Sequence, residues 1–331
     1  MRVRQVGAGL TGMKLAGFAK YSPFLVFVPL AFAPSFTGSY YTSFLMSVLV
    51  WIGLAVSWYF FSGTTKYVSL GTAAFFGIGV YITAVFGKSL PFAVVLVLAA
   101  AISFVFAGFV GLVTLRLKGI YFAILTFGLA ELLNNAILFW ENQVTGTRGR
   151  FVLPLDVYHP ILIITFVILV AVVVIRKTKL GLGLRMIGES EDAAIHFGVH
   201  TTLYKVLGFA ISSMFMGLLG AAFAPRWGYV DSGMAFNPLY SFMPAIMTLF
   251  GGAGWIVGPI VGAVVISVLQ EYLLTTFKDY FMIILGGIMM LVILALPDGM
   301  TGKLLGRRSW FTRRGKATPV TAVSEVRDAG E

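Results

Sequence analysis

The chain has 331 residues, 59% of them hydrophobic and 11% charged, with a mean hydropathy of +0.93, a balance that leaves too little polar cover for a soluble domain and describes a polytopic membrane protein. There is no cysteine, which excludes disulfides, thiolate catalysis and cysteine-based metal sites. A net charge of +11 would suggest nucleic acid only if the cations formed a patch, and their distribution along the chain argues against one.

Residues 1–20 read as a polar cytoplasmic tail carrying Arg2, Arg4, Lys14 and Lys20. The first apolar run, 24–33, ends in Ala31-Phe32-Ala33 and imitates a signal-peptide cleavage site. Pro29 interrupts it and Pro34 follows it, so a short first span is expected instead. Further spans are expected at 44–61, 68–86, 92–115, 120–140, 160–175, 206–224, 239–250, 255–275 and 280–296. The first and eighth fall short of the roughly 20 residues of a straight crossing and are candidates for tilted, broken or re-entrant segments. With the N-terminus inside, all of the 24 Lys and Arg residues except Lys88, Arg148, Arg150, Arg226 and Lys278 fall on the inner side. This asymmetry predicts N-in, C-in and an even number of spans, and it makes the basic balance a matter of topology. The expected architecture is an all-α polytopic membrane protein of about ten transmembrane helices over residues 21–300, followed by a cytoplasmic tail, 301–331, without periodicity and mostly disordered.

Small residues concentrate in two places. Gly71, Gly77, Gly79 and Gly87 punctuate the third span, and Gly254, Gly258 and Gly262 recur every four residues around Pro259. Such faces let helix backbones touch, and glycine with proline permits discontinuous spans that line a cavity. Polar groups inside the bilayer are few. Glu131 in the fifth span is a candidate path or gate residue, with Asn134 and Asn135 one turn further out, and a buried packing hydrogen bond is the alternative.

The stretch TKLGLGLRMIGESEDAAIHFGVHTT from Thr178 interrupts the apolar runs with helical grammar. Gly181 and Gly183 permit a turn; Glu189, Ser190, Glu191 and Asp192 suit a helix start; Ala193, Ala194, Ile195 and Phe197 supply the body and Gly198 the stop. It reads either as a solvated connector or as a docking helix. Catalytic constellations are missing. His196 and His200 have helical ligand spacing but no HExxH, and Gly302-Lys303 is followed by Leu304, so neither a metal site nor a P-loop is expected. If ATP drives this protein, another chain supplies it.

Five stretches in order resemble a known family. They are SLGTAAFFGIGVY from Ser69, LRLKGIYFAILTFGLAEL from Leu115, the polar stretch from Thr178, LFGGAGWIVGPIVGAVV from Leu249 continuing to Gln270-Glu271, and LPDGM from Leu296. Together they resemble the LivM-type permease subunits of ATP-binding-cassette importers for branched-chain amino acids and related solutes. The resemblance implies that loop 176–204 holds a coupling helix seated in a groove of a separate ATPase. The matching positions are Gly181, Leu184, Arg185, Ile187, Glu189, Glu191, Asp192, Ala194 and Gly198. It also implies a bacterial inner (plasma) membrane location, a second homologous permease chain, an extracytoplasmic solute-binding protein, contact with membrane lipid, no cofactor and no nucleic acid. Gly71, Gly77, Gly79, Glu131 and Asn134 are then the expected path or gate positions, and Gly254, Gly258 and Gly262 the expected packing face.

The sequence departs from the family where Gly188 replaces a second arginine and Ser190 an asparagine. WYFFSGTTKYVSLG from Trp58 replaces an asparagine-containing, glycine-rich turn, and the outer loop from Val144 offers Thr147, Arg148 and Arg150 in place of a simpler threonine-glycine-glycine run. These changes leave the cargo open among branched-chain amino acids, urea, short amides and aromatic acids. Two other classes remain: a proton- or sodium-coupled carrier titrating at Glu131, and a membrane enzyme, for which no clustered nucleophile, base or metal set exists.

Overall fold

The computed structural model describes residues 38–117 and 119–277, together with 30, 280, 283, 284, 286, 287 and 290. Both expected tails, almost all of the first expected span and most of the tenth lie outside the described residues. The elements in chain order are α1 (Ser39–Trp58) running into a π-helical turn (Tyr59–Gly63), α2 (Thr72–Phe86), α3 (Phe92–Thr114), α4 (Ile120–Trp140) with a second π-helical turn (Glu141–Thr145), and β1 (Arg150–Phe151). They continue as α5 (Tyr158–Ile175), α6 (Lys179–Glu189), α7 (Glu191–His196), α8 (Thr201–Phe223) with a short 3-10 turn (Ala224–Arg226), β2 (Tyr229–Val230), α9 (Ser232–Ala235), α10 (Leu239–Gly251) and α11 (Val257–Thr276).

Among the described residues, six helices, α1, α3, α4, α5, α8 and α11 with their flanking turns, are long and apolar enough to cross a membrane, while α2 is shorter. The chain is therefore a multi-pass membrane protein. Helix α8 lies at the centre, packed along α3 and α2 and touching α1 and α6. Of their apolar windows, 78% is buried in both α1 and α8 but only 28% in α3 and 17% in α4, so α1 and α8 form the interior and α4 the periphery. Small residues make that interior possible: a Cβ on Gly79 of α2 would lie 1.9 Å from the Gly217 carbonyl oxygen of α8, and one on Gly220 would lie 2.1 Å from that of Phe76. Aromatic rings fill what remains, Phe61, Phe75 and Phe122 all meeting Phe209 edge to face.

The third span differs from the sequence expectation. Helix α2 begins at Thr72, and residues 66–71 run up to it without helical bonding. The backbone freed there is satisfied by side chains and neighbours. The Trp58 indole donates to the Ser69 carbonyl at 2.7 Å, the Leu70 amide to Thr126 Oγ1 at 3.0 Å and the Ala73 amide to Ser241 Oγ at 3.3 Å. Broken backbone is tolerated at membrane depth only with such partners. Helix α10 is short as well, and Asn237 caps it by accepting from the Leu239 amide at 2.9 Å.

Of the three glycines on the ninth expected span, Gly258 and Gly262 lie close to backbone: their added Cβ atoms would meet the carbonyls of Gly252 at 2.1 Å and Met247 at 1.9 Å. Gly254 does not join them. It sits in the turn between α10 and α11 with nothing within 4 Å of a Cβ, because the helix starts only at Val257.

Long-range contacts sort the connections onto two ends. Tyr67, Leu115, Glu191 and Lys205 meet at one. At the other, Arg226 bonds Ser43, Tyr40 bonds Glu271, and β1 pairs antiparallel with β2.

Candidate functional site

The polar stretch from Thr178 folds as two helices. Gly181 and Gly183 lie inside α6, which corrects the expected turn. They are small because of what faces them: an added Cβ would sit 2.4 Å from the Ile175 carbonyl at Gly181 and 2.5 Å from the Tyr204 ring at Gly183. The break comes at Ser190, whose extended backbone ends α6 and whose hydroxyl accepts from the Ala193 amide at 3.3 Å to start α7. Glu191 and Asp192 occupy the first turn of α7, where the helix dipole favours them. Gly198, with φ of 77°, supplies the stop.

The residues expected to couple to an ATPase divide into two sets. Gly181, Leu184, Ile187 and Ala194 are buried and attach the loop to the spans, Leu184 pressing on Gly208 of α8. Arg185, Glu189, Asp192 and Gly198 are exposed. Glu191 belongs with the inner set. Its Oε1 lies 2.6 Å from Lys205 Nζ, and its Oε2 accepts from the Tyr67 hydroxyl at 2.7 Å. The Lys205 ammonium also donates to the Leu115 carbonyl at 3.4 Å and lies 4.8 Å from the centre of the Tyr67 ring. Burial, and then the Glu191 carboxylate, pushes the Tyr67 hydroxyl above its ordinary range, so it stays protonated and donates.

Gly188 packs in the same region. A Cβ there would lie 2.0 Å from the Thr64 carbonyl oxygen and 3.2 Å from the Thr65 Cα, so the family's arginine has no room at this position. The other departure, from Trp58, thus lies against the polar stretch from Thr178. Gly188→Val is expected to lift α6 off Thr64 and destabilise the chain by about 2 kcal/mol, as overpacking against backbone does. Thermal unfolding in mild detergent, with chymotryptic cleavage at Phe197, would read this out.

Two features escaped the sequence reading. Ile195 is 54% and Phe197 77% exposed on the polar end of the protein, beside Leu182 at 52%. Large apolar side chains in a polar stretch were a signal for them, since water-facing positions there had polar alternatives. Lys205 is the second, a cation at the start of an apolar helix and only 4% exposed. An ammonium so placed requires a partner, and that requirement was legible.

The expected path residues behave differently from one another. Gly71, Gly77 and Gly79 are buried in helix contacts, Gly77 against the Phe236 ring and Gly79 against α8. Glu131 and Asn134 are half-buried on the peripheral helix α4, and Asn135, exposed, donates to the Glu131 backbone carbonyl at 2.8 Å. Among the described residues no hydrogen bond reaches the Glu131 carboxylate. At the outer end, Glu141 is fully buried and accepts from the Tyr81 hydroxyl at 3.0 Å. Beside it an apolar cavity of about 320 Å³ opens between α2, α3 and α4, lined among others by Tyr81, Ile102, Ile137 and Trp140.

Comparison with known proteins gives a consistent set of matches. Residues 40–293 match the family described as "Branched-chain amino acid transport system / permease component". The chain is 28% identical over 275 residues to the high-affinity branched-chain amino acid transport system permease protein LivM of Salmonella typhimurium, covering 72% of this chain and 64% of that protein. It is 27% identical over 281 residues to LivM of Escherichia coli, with the same coverage. It thus spans just under two thirds of the length of these curated relatives. It is also 26% identical to the autoinducer 2 import system permease protein LsrC of an Enterobacter species, over 67% of both chains. No solved structure matches significantly.

Proposed function

The chain belongs to the branched-chain amino acid transport system / permease component family, and from that premise we propose that it is the permease subunit of an ATP-binding-cassette importer. It takes a small polar solute, a branched-chain amino acid or a related compound, from a soluble extracytoplasmic binding protein. A separate ATPase drives alternating access, a second permease chain completes the path, and the assembly sits in a bacterial inner membrane. This subunit performs no covalent chemistry.

The observation that carries this reading is the exposure of Ile195 and Phe197 on α7, with Asp192 exposed on the same helix and Arg185 on α6, a pair of helices whose buried residues face the spans. A secondary carrier has no use for such a surface, whereas an ATPase groove does. The path runs along α4, where Glu131 and Asn134 would be costly against lipid and need water or a partner chain. The glycines of α2 serve packing in this reading.

Co-purification from the native host in mild detergent tests it. Wild type is expected to retain a P-loop ATPase, and Phe197→Glu and Arg185→Glu to lose it, Phe197→Glu by roughly 30-fold in affinity for an anchor worth about 2 kcal/mol. Glu191 is unsuitable for this test because its carboxylate faces inward.

The Glu131 carboxylate, which no hydrogen bond reaches among the described residues, favours a second reading, a proton- or sodium-coupled carrier. Purified alone in liposomes, the chain is expected to move no leucine under an imposed gradient. Gradient-driven uptake abolished by Glu131→Gln would establish the carrier.

A further inference from the structure

The coupling helices grip one short segment of the chain from two sides. Gly188 of α6 lies against the Thr64 carbonyl and the Thr65 backbone, and Glu191 of α7 bonds the Tyr67 hydroxyl. Between those contacts Lys66 has φ of 62°, a left-handed conformation that a side chain disfavours and that surrounding structure must impose. Beyond them the chain runs directly into α2, the helix that starts inside the protein and crosses closest to α8. Lys205 closes the arrangement: one buried ammonium contacts Glu191 of α7, Tyr67 ahead of α2 and the Leu115 carbonyl at the end of α3.

We propose that residues 64–67 receive the movement of the coupling helices and pass it to α2, with Lys205 as the positioning residue that latches α7, α2 and α3 into one moving unit. Among the described residues, the Lys205–Glu191 ion pair and the Tyr67–Glu191 hydrogen bond join those elements by charge. Lys205 stands on α8, so the latch ties α7 to the pair of α8 and α2. Without it the coupling helices keep only the Gly188–Thr64 contact and the Tyr67–Glu191 bond to the segment ahead of α2, while α2 stays with α8, to which its glycines bind it. With it, displacement of α7 pulls on a strained segment that has little freedom to absorb it. The two departures from the family pattern, at Gly188 and from Trp58, are then halves of one contact: a segment whose Thr64 carbonyl projects toward α6, and a residue without a side chain to receive it.

This inference rests on the importer reading, and the experiment separates the two. The chain has no cysteine, so Lys88→Cys at the outer end of α2 and Leu155→Cys in the loop before α5 would carry spin labels specifically, both positions being exposed. The labelled chain is reconstituted in liposomes with cysteine-free partner subunits, and the distance is followed with and without ATP and vanadate. Wild type is expected to shift by about 2 Å or more, the scale of helix movements in such transitions. Lys205→Met and Tyr67→Phe are expected to lose most of that shift while ATP hydrolysis and co-purification persist, and Lys205→Arg to retain it. A wild-type shift in both Lys205→Met and Tyr67→Phe, with the ATPase bound and hydrolysing, would overturn the latch and leave the importer reading standing. A wild-type chain that binds no ATPase would overturn both. Should Lys205→Met fail to assemble, Tyr67→Phe decides alone, since it removes a single hydroxyl.

Discussion

Gly79→Leu is expected to leave little chain that is monodisperse in mild detergent. A Cβ at this position would lie 1.9 Å from the Gly217 carbonyl oxygen and 2.8 Å from the Ala221 amide nitrogen. Both obstacles are backbone of the central helix α8, so no rotamer change can clear them. Helix α8 cannot retreat either, because Gly217 already faces the Ser103 hydroxyl on its other side at 2.0 Å from an added Cβ. The cost falls at the upper end of overpacking, about 3 kcal/mol even for Gly79→Ala and more for leucine. Gly108→Leu is the control, since nothing lies within 4 Å of a Cβ there. Size-exclusion profiles and melting temperatures of the two variants are the measurement. If they coincide, α2 and α8 are not in backbone contact and the packing described above fails.

Glu191→Ala is expected to destabilise the chain more than Lys205→Met, although each breaks the same pair. The side chain of Lys205 is 5% exposed and that of Glu191 17%. Removing the carboxylate therefore strands an ammonium in the interior, a loss of about 3–5 kcal/mol for a buried pair deprived of one partner. Removing the ammonium leaves a carboxylate that keeps its bond from Tyr67 and can turn toward water, so the loss is about 1–2 kcal/mol, a hydrogen bond or so. Thermal unfolding of both variants in one detergent measures the difference. The reverse order would mean that Glu191, rather than Lys205, is the side chain held away from solvent. The same asymmetry makes Lys205→Met the suitable variant for following movement, since its fold survives.

Helix positions were legible wherever hydrophobicity ran unbroken. The fifth span was expected at 120–140 and is α4, Ile120–Trp140. The cap at Ser190 and the stop at Gly198 follow from local chemistry, which is why they were readable in the polar stretch. The glycines were harder. Gly181 and Gly183 looked like a turn because glycine frees the backbone, whereas here it makes room for Tyr204 and the end of α5. Nothing local distinguishes the two uses. The start of α2 was missed for a related reason: residues 68–71 are apolar enough for a span, and the backbone that leaves helical bonding there is satisfied in part by side chains from elsewhere, the Trp58 indole and the Thr126 hydroxyl.

The amino-acid sequence by itself determined that this chain crosses a membrane several times and that the stretch from Thr178 is helical and polar. Hydrophobic length and capping chemistry act locally, so a linear reading recovers them. The tertiary structure alone decided which side of that stretch is outward. It turned Glu191 in to Lys205 and left Phe197 out, and it put Gly188 against Thr64. Those outcomes depend on which backbone or charge lies opposite each residue: for Gly188 the Thr64 carbonyl, more than a hundred positions away, and for Glu191 a dry ammonium that a carboxylate within reach can meet.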